Sequence, residues 1–200
     1  MKLENIKKDG NYYSPWKALN QGDSIELLKK GEMVAPKDLQ VALEAWCPHS
    51  CEFCTYRNVN WQQHGMEFEE PEKRVPEETG LPKEIAMRLP REMYEAGIPS
   101  IELTGGGEPM VYPHIKEFLD ELGKYPIELA IVTNGASLNE QIQSRLKNLK
   151  WIRFSVDAIT PETHSKVHRV PTSVFSVVLK HIREVITRGF EDCKVGISFV

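Results

Sequence analysis

The 200 residues are enough for one folded core and little more, and a content of 40% hydrophobic and 27% charged residues argues against wholesale disorder. The formal net charge of −4, from 29 acidic and 25 basic residues, does not indicate a nucleic acid bound by bulk electrostatics. No apolar run approaches the roughly 20 residues of a membrane helix and the polar start is unlike a secretory signal, so we expect a cytoplasmic protein.

Residues 1–38 are predicted to form an N-terminal leader segment. It contains an aromatic patch of Tyr12, Tyr13 and Trp16, followed by a short helix predicted over 24–30. From residue 39 onwards, strand patterns alternate with helix patterns. Strands are predicted at 39–45, 100–103, 127–132, 151–156 and 194–200. Helices are predicted at 82–96, at 113–122, at 138–148 and from residue 173 onwards.

This alternation predicts an α/β fold, in which a parallel sheet is covered by helices. Five strands are too few for a closed eight-stranded barrel, which takes about 250 residues, so we expect an open curved sheet or partial (β/α) barrel over 39–200. The chain stops within an apolar strand that would leave an exposed edge. We therefore expect a fragment whose missing part completes the sheet after strand five.

One segment, 58–80, interrupts the alternation. It holds six glutamates and shows neither helix nor strand periodicity. A loop of this length in a compact domain is usually functional or disordered. It is either a solvated acidic insertion or a contact for a substrate or partner.

Three of the four cysteines lie close together, directly after the first predicted strand. Cys47, Cys51 and Cys54 have C-x3-C-x2-C spacing, whereas Cys193 is far away and is expected to be a small buried residue. Disulfide-stapled domains spread their cysteines along the chain, so this trio indicates metal ligands.

Thiolates suit iron–sulfur clusters, zinc or copper. Three thiolates this close can hold three irons of a cubane and leave the fourth without a protein ligand, which a ferredoxin does not do. The alternative is a zinc site in which His49 or His64 is the fourth ligand.

A glycine-rich segment follows the second predicted strand, and it includes Gly106, Gly107 and Glu108. Consecutive glycines let the backbone approach a ligand closely, and a carboxylate suits an ammonium group. Neither a phosphate-binding P-loop nor a dinucleotide fingerprint fits the spacing. A plain glycine turn before a helix is the alternative.

Polar residues also follow the third and fourth predicted strands. Asn134 follows the third, although Asn-Gly is also a common turn, and Ser155 and Asp157 end the fourth. A spacing of two residues in a strand points both side chains to one face. Asp157 could equally cap a helical turn. Because ligands bind beyond the carboxyl ends of parallel strands, we expect all these groups to converge at one rim.

The cysteine trio, with Phe53 just before its last member, and the Gly-Gly-Glu segment resemble the signatures of the radical S-adenosylmethionine (SAM) superfamily. The resemblance covers roughly 39–200, or five of the six strand–helix units of that family's partial barrel. It implies a 4Fe–4S cluster whose open iron chelates the amino and carboxylate groups of SAM. One electron then cleaves SAM to methionine and a 5′-deoxyadenosyl radical, which abstracts hydrogen from a substrate.

The resemblance also implies roles for individual residues and partners. The cysteines hold the cluster, the SAM amino group binds to the Gly-Gly-Glu segment, and an arginine in the loop before the last helix pairs with the SAM carboxylate. The implied SAM-binding residues are Gly106, Gly107, Glu108, Asn134, Ser155, Asp157 and Arg169, with Ser155 and Asp157 on the ribose. Surface charge is the alternative for Arg169, and His164 and His168 are expected to be ordinary loop residues. The implied partners are an unidentified substrate and an electron donor such as flavodoxin or ferredoxin.

Two alternative functions remain open from the sequence. One is a non-catalytic module in which zinc ties the cysteine loop to the first strand. The other is a member of the superfamily that binds SAM without cleaving it.

Overall fold

The computed structural model describes residues 22–57 and 79–199, in which five parallel strands form one sheet. The order in the sheet follows the order along the chain. The strands are β1 (Leu39–Val41), β2 (Ser100–Leu103), β3 (Glu128–Thr133), β4 (Leu149–Ser155) and β5 (Lys194–Ser198). The predicted α/β class with a parallel sheet is confirmed.

Helices lie in every connection between neighbouring strands, as parallel pairing requires. None of the described helices is both long and apolar enough to cross a lipid bilayer. The helices are α1 (Gly22–Lys29), α2 (Lys83–Glu95), α3 (Ile115–Leu122), α4 (Glu140–Gln143), α5 (Pro161–His168) and α6 (Ser173–Arg188).

The core lies along the central strands. All four residues of β2 are buried, which is typical of a parallel strand with both faces covered. Ile101 of β2 lies beside Leu39 of β1 and Leu129 of β3 in the register. Phe118 of α3 is fully buried in the same apolar cluster. This register aligns the carboxyl ends of the strands at one rim.

Two helix predictions need correction. The helix predicted at 138–148 is one short turn, α4, which Asn139 caps by accepting a hydrogen bond from the Ile142 N–H at 3.2 Å. The helix cannot extend to residue 148 as predicted, because β4 already begins at Leu149 and the chain must turn before it. The predicted loop around His164 and His168 is helix α5, with Thr160 as its N-cap and Pro161 in its first turn.

The outer strands are shorter than predicted. β1 ends at Val41, because the chain leaves the sheet so that Glu44 forms an isolated antiparallel bridge with Gly80. β5 ends at Ser198, and Cys193 before it is partly rather than fully buried. The aromatic patch and His64 lie outside the described residues, as does the acidic segment apart from its last two residues. The division into a leader and a core stays a prediction.

Candidate active site at the carboxyl ends of the strands

The loop that carries the cysteine trio follows β1 and is fastened to the end of helix α5. The Ser50 N–H donates to the His168 carbonyl at 3.1 Å, and the Glu52 N–H donates to the Val167 carbonyl at 3.0 Å. Carbonyls in the last turn of a helix have no partner within the helix. The cysteine loop supplies these partners, so α5, from the connection after β4, holds the loop that follows β1.

The three thiols of this loop are partly buried and none forms a disulfide. The pKa of Cys51 is raised to about 12, chiefly by burial and then by the nearby sulfurs of Cys47 and Cys54, with Asp157 adding to the effect. Thiolates gathered this closely repel one another unless a cation offsets their charge. The donor set therefore suits a positively charged metal group, which would displace the protons.

The glycine segment after β2 packs against the backbone of the cysteine loop. The Gly107 N–H donates to the Glu44 carbonyl at 3.1 Å, and the Glu108 N–H donates to the Trp46 carbonyl at 2.9 Å. A Cβ at Gly107 would lie 2.2 Å from the Trp46 carbonyl oxygen, so only glycine fits. At Gly106 the nearest atom to such a Cβ would be on the Tyr56 ring, at 3.7 Å. Packing requires glycine at Gly107 and leaves space at Gly106.

Glu108 is buried, with 2% of its surface exposed, and it joins the ends of β2 and β3. One carboxylate oxygen accepts from the Thr133 hydroxyl at 2.6 Å and the Met110 N–H at 3.0 Å, and the other accepts from the Asn134 N–H at 2.7 Å. Burial raises the pKa of Glu108, while these three donors act in the opposite direction. A carboxylate has about four acceptor positions, so one remains on the oxygen that faces Asn134.

Asn134 connects this network to the cysteine loop. Its side-chain N–H donates to the Cys47 sulfur at 3.7 Å, and its side-chain oxygen accepts from the Ala136 N–H at 2.9 Å. The structure thus brings Cys47, Glu108 and Asn134 together from the loops after β1, β2 and β3.

Ser155 and Asp157 do not share one strand, so the spacing argument does not apply to them. β4 ends at the half-buried Ser155, and Asp157 lies beyond it with a left-handed φ of 53°. The Asp157 carboxylate is 3.3 Å from Nε2 of His168, and both side chains are 1% exposed.

Arg169 was expected in a loop before the last helix, but it is the residue at which helix α5 ends, and its φ is 52°. Its side chain is largely exposed, and its guanidinium lies 3.9 Å from the Glu52 carboxylate. At this separation in solvent the ion pair contributes little to stability.

The sequence did not predict that His164 and His168, expected to be ordinary loop residues, form a buried cluster with His49 of the cysteine loop. His49, His164 and His168 are each at most 3% exposed, and the rings of His164 and His168 stack at 4.3 Å. Burial lowers the pKa of His164 to about 4, with His168 adding to the effect, and burial also lowers the pKa of His168 against the opposing effect of Asp157. The available signal was the four-residue spacing of His164 and His168, which places them on one helix face.

Comparison with known proteins yields one family and several partial relatives. The family model described as the radical SAM superfamily matches residues 44–200. A GTP 3′,8-cyclase from Marinobacter nauticus is 31% identical over 145 residues, covering 72% of this chain and 41% of the relative. A probable GTP 3′,8-cyclase from Thermococcus kodakarensis is 29% identical over 150 residues, covering 74% and 43%. The chain therefore spans about two fifths of the length of these relatives.

Solved structures show a similar fold. The Streptococcus suis protein SuiB, in its crystal structure bound to S-adenosylmethionine, aligns with a TM-score of 0.63 at 20% identity. The alignment covers 92% of this chain and 40% of SuiB.

Proposed function

The chain belongs to the radical SAM superfamily, and from this premise we propose that it is an enzyme that generates a radical by reductive cleavage of SAM. In this proposal Cys47, Cys51 and Cys54 hold a 4Fe–4S cluster. When bound, the cluster supplies one electron that splits SAM into methionine and a 5′-deoxyadenosyl radical, which takes a hydrogen atom from the substrate. The observation that carries the proposal is the contact of the cysteine loop with the Glu108 network at one rim.

The donor set fits a cluster that has one iron free for a small ligand. The three partly buried thiols lie on a loop that hydrogen bonds fasten to α5 and to the glycine segment. Cys193, the one other cysteine of the sequence, precedes β5 and so belongs to the opposite, amino-terminal rim. A fourth thiolate from this chain is therefore not expected at the cluster.

Glu108 is the residue that we assign to the SAM amino group. Its carboxylate keeps one acceptor position after the three protein donors are counted, and an ammonium group would fill it with a charge-assisted hydrogen bond. Gly106, two residues before Glu108, has space beside it in which SAM could come close to the backbone. The fixed donors from Thr133 and Asn134 hold the carboxylate in its orientation before SAM arrives.

The remaining SAM contacts are proposed for residues near the ends of β3, β4 and α5. Ser155, at the end of β4, is the better ribose ligand, because the Asp157 carboxylate already faces His168. Asn134 lies beside Cys47 and would contact SAM near the cluster. Arg169 would pair with the SAM carboxylate, since its neighbour Glu52 belongs to the cysteine loop.

We propose that a reduced flavodoxin or ferredoxin of the cytoplasm supplies the electron. The relatives' names include a GTP cyclase and an S-adenosylmethionine-dependent nucleotide dehydratase, so they differ in reaction. The proposal for this chain is therefore limited to formation of the radical and names no substrate.

The test is 5′-deoxyadenosine formation by the anaerobically reconstituted protein after chemical reduction in the presence of SAM. Wild type and Cys193→Ala should both produce it, and the variant that carries Cys47→Ala, Cys51→Ala and Cys54→Ala should produce none. Equal yields from the triple variant and the wild type would refute the proposal. A protein that binds SAM and yields no 5′-deoxyadenosine would be a non-cleaving member of the superfamily.

A further inference from the structure

The buried histidines and the middle cysteine form a set of donor atoms that the proposed function does not use as a set. Nδ1 of His168 lies 3.3 Å from Nδ1 of His49 and 3.2 Å from the sulfur of Cys51. The three ligand atoms all lie within 4.8 Å of one another. Two imidazoles and a thiolate are a donor set that suits Zn²⁺.

The surroundings of His168 fix which ring nitrogen offers its lone pair. Nε2 lies 3.1 Å from the Val156 carbonyl oxygen and 3.3 Å from the Asp157 carboxylate. The Val156 carbonyl can only accept a hydrogen bond, so Nε2 carries the hydrogen. The neutral ring therefore presents the Nδ1 lone pair to Cys51 and His49. Histidines that bind metals show this arrangement, because their second nitrogen donates to a carbonyl or carboxylate.

The distance between the two ring nitrogens is also that expected for two ligands of one zinc ion. Two Zn–N bonds at a tetrahedral angle hold their nitrogens about 3.3 Å apart, and the two Nδ1 atoms are 3.3 Å apart here. His49 and His168 are both buried, and binding of the ion to a Cys51 thiolate near the Asp157 carboxylate behind His168 would match its two positive charges. A buried divalent ion with matched charge avoids the cost of an uncompensated charge.

We propose that the iron-free protein binds one Zn²⁺ through Nδ1 of His49, Sγ of Cys51 and Nδ1 of His168. Water fills the fourth position, and binding releases the Cys51 thiol proton to solvent. The zinc site itself is independent of the proposed function. A second consequence rests on that function: zinc and the iron–sulfur cluster compete for Cys51, so cluster assembly displaces the zinc.

The first test is titration of the iron-free, reduced protein with Zn²⁺ against a competing chelator. Wild type should bind one equivalent. His49→Ala, His168→Ala and Cys51→Ala should each lose affinity by about tenfold or more, while Cys47→Ala and Cys54→Ala should stay close to wild type. His164→Ala is the matched control, because this buried histidine stacks on His168 but is outside the donor set.

Co²⁺ in place of Zn²⁺ reports the number of bound thiolates in the wild type itself, and two variants then identify the cysteine. The proposal predicts thiolate-to-cobalt charge-transfer absorption with the intensity of one thiolate, lost in Cys51→Ala and kept in Cys47→Ala. Intensity corresponding to three thiolates would place the ion on the cysteine trio and overturn the proposal. Absence of binding to the wild type, or full affinity in both His49→Ala and His168→Ala, would also overturn it.

The competition is tested by iron and sulfide uptake with increasing Zn²⁺. Zinc should suppress uptake by the wild type, and the suppressing concentration should rise by about tenfold or more in His49→Ala relative to that variant's own zinc-free uptake. An unchanged suppressing concentration would contradict the competition at this site. If the wild type takes up no iron even without zinc, the proposed function fails, whereas the zinc titration stands by itself.

Discussion

One carboxylate connects two of the strand ends at the rim. Glu108 is buried and accepts hydrogen bonds from Thr133, Asn134 and Met110. An amide in this place could not accept from all three donors, because its nitrogen only donates. Glu108 is thus a structural link between β2 and β3 as well as the proposed ligand of the SAM amino group.

Replacing this carboxylate by an amide tests both roles. Glu108→Gln sets an NH2 group against a protein donor and should lower the free energy of unfolding by about 1–3 kcal/mol, measured by urea denaturation. SAM affinity of the reconstituted protein should also fall. Glu92→Gln is the control, because Glu92 is a surface residue of α2 whose ion pair with Arg88 is exposed. If Glu108→Gln unfolds like this control, the hydrogen-bond network at Glu108 is not as described.

The two central glycines of the same segment give a matched pair of variants. In Gly107→Ala the new Cβ would meet the Trp46 carbonyl oxygen at 2.2 Å, whereas in Gly106→Ala it would meet the Tyr56 ring at 3.7 Å. Gly107→Ala should cost about 1–3 kcal/mol or more by forcing the cysteine loop away, and it should reduce iron uptake. Gly106→Ala should leave the unfolding free energy within about 0.5 kcal/mol of wild type. Equal stability of the two variants would contradict the packing of Gly107 on the cysteine loop.

Among the elements, helix α5 has the largest influence on the site. Its C-terminal carbonyls hold Ser50 and Glu52 of the cysteine loop, and its last residue is His168. Arg169 then ends the helix in a left-handed conformation, which costs energy in any residue with a Cβ. The sequence contained the start signals for α5, Thr160 and Pro161. It carried no local mark of the contact between this helix and the cysteine loop, which lies far earlier in the chain.

The end of α5 offers a test in which the charge change is held constant. Arg169→Gly and Arg169→Ala both remove the guanidinium, and only the glycine relieves the backbone. Arg169→Gly should therefore be about 1 kcal/mol more stable than Arg169→Ala in urea unfolding. If Arg169 binds the SAM carboxylate, SAM affinity should fall equally in both. A more stable alanine variant would contradict the left-handed helix end, and unchanged SAM affinity would remove Arg169 from the SAM site.

The sequence predicted elements and local motifs better than it predicted contacts between distant segments. The cysteine spacing and the Gly-Gly-Glu segment were recognisable because each is contained in a few consecutive residues. The His49–His168 contact joins positions 119 residues apart, so no local pattern encodes it. Strand alternation placed Asp157 on the same face as Ser155, and this argument fails because β4 ends at Ser155 and the backbone then turns.

On the scale of the whole molecule, the parallel sheet explains why one rim carries the chemistry. Because neighbouring strands align Val41 with Leu103 and Leu103 with Ile131, the loops after them emerge side by side. Chain segments that are far apart in sequence, the cysteine loop and α5, close the rim by backbone hydrogen bonds. A group bound by the cysteines would therefore stabilise the contact between the loop after β1 and the helix after β4.

Removal of the cluster should therefore loosen the rim and leave the central strands intact. Since a ligand that binds only the folded state stabilises it, the reconstituted protein should melt at least about 2 °C above the iron-free, zinc-free protein. Hydrogen exchange should quicken at Ser50 and Glu52 on iron removal, with little change in β2 and β3. Uniform loss of protection along the sheet would contradict a local role for the cysteine loop.

The most direct test of the central claim is electron paramagnetic resonance of the reconstituted, reduced protein with and without SAM. About four irons per chain should bind through the three cysteines, and the g values of the 4Fe–4S signal should shift when SAM binds to the open iron. A signal that SAM leaves unchanged, or a protein that holds only a mononuclear ion after reconstitution, would contradict it.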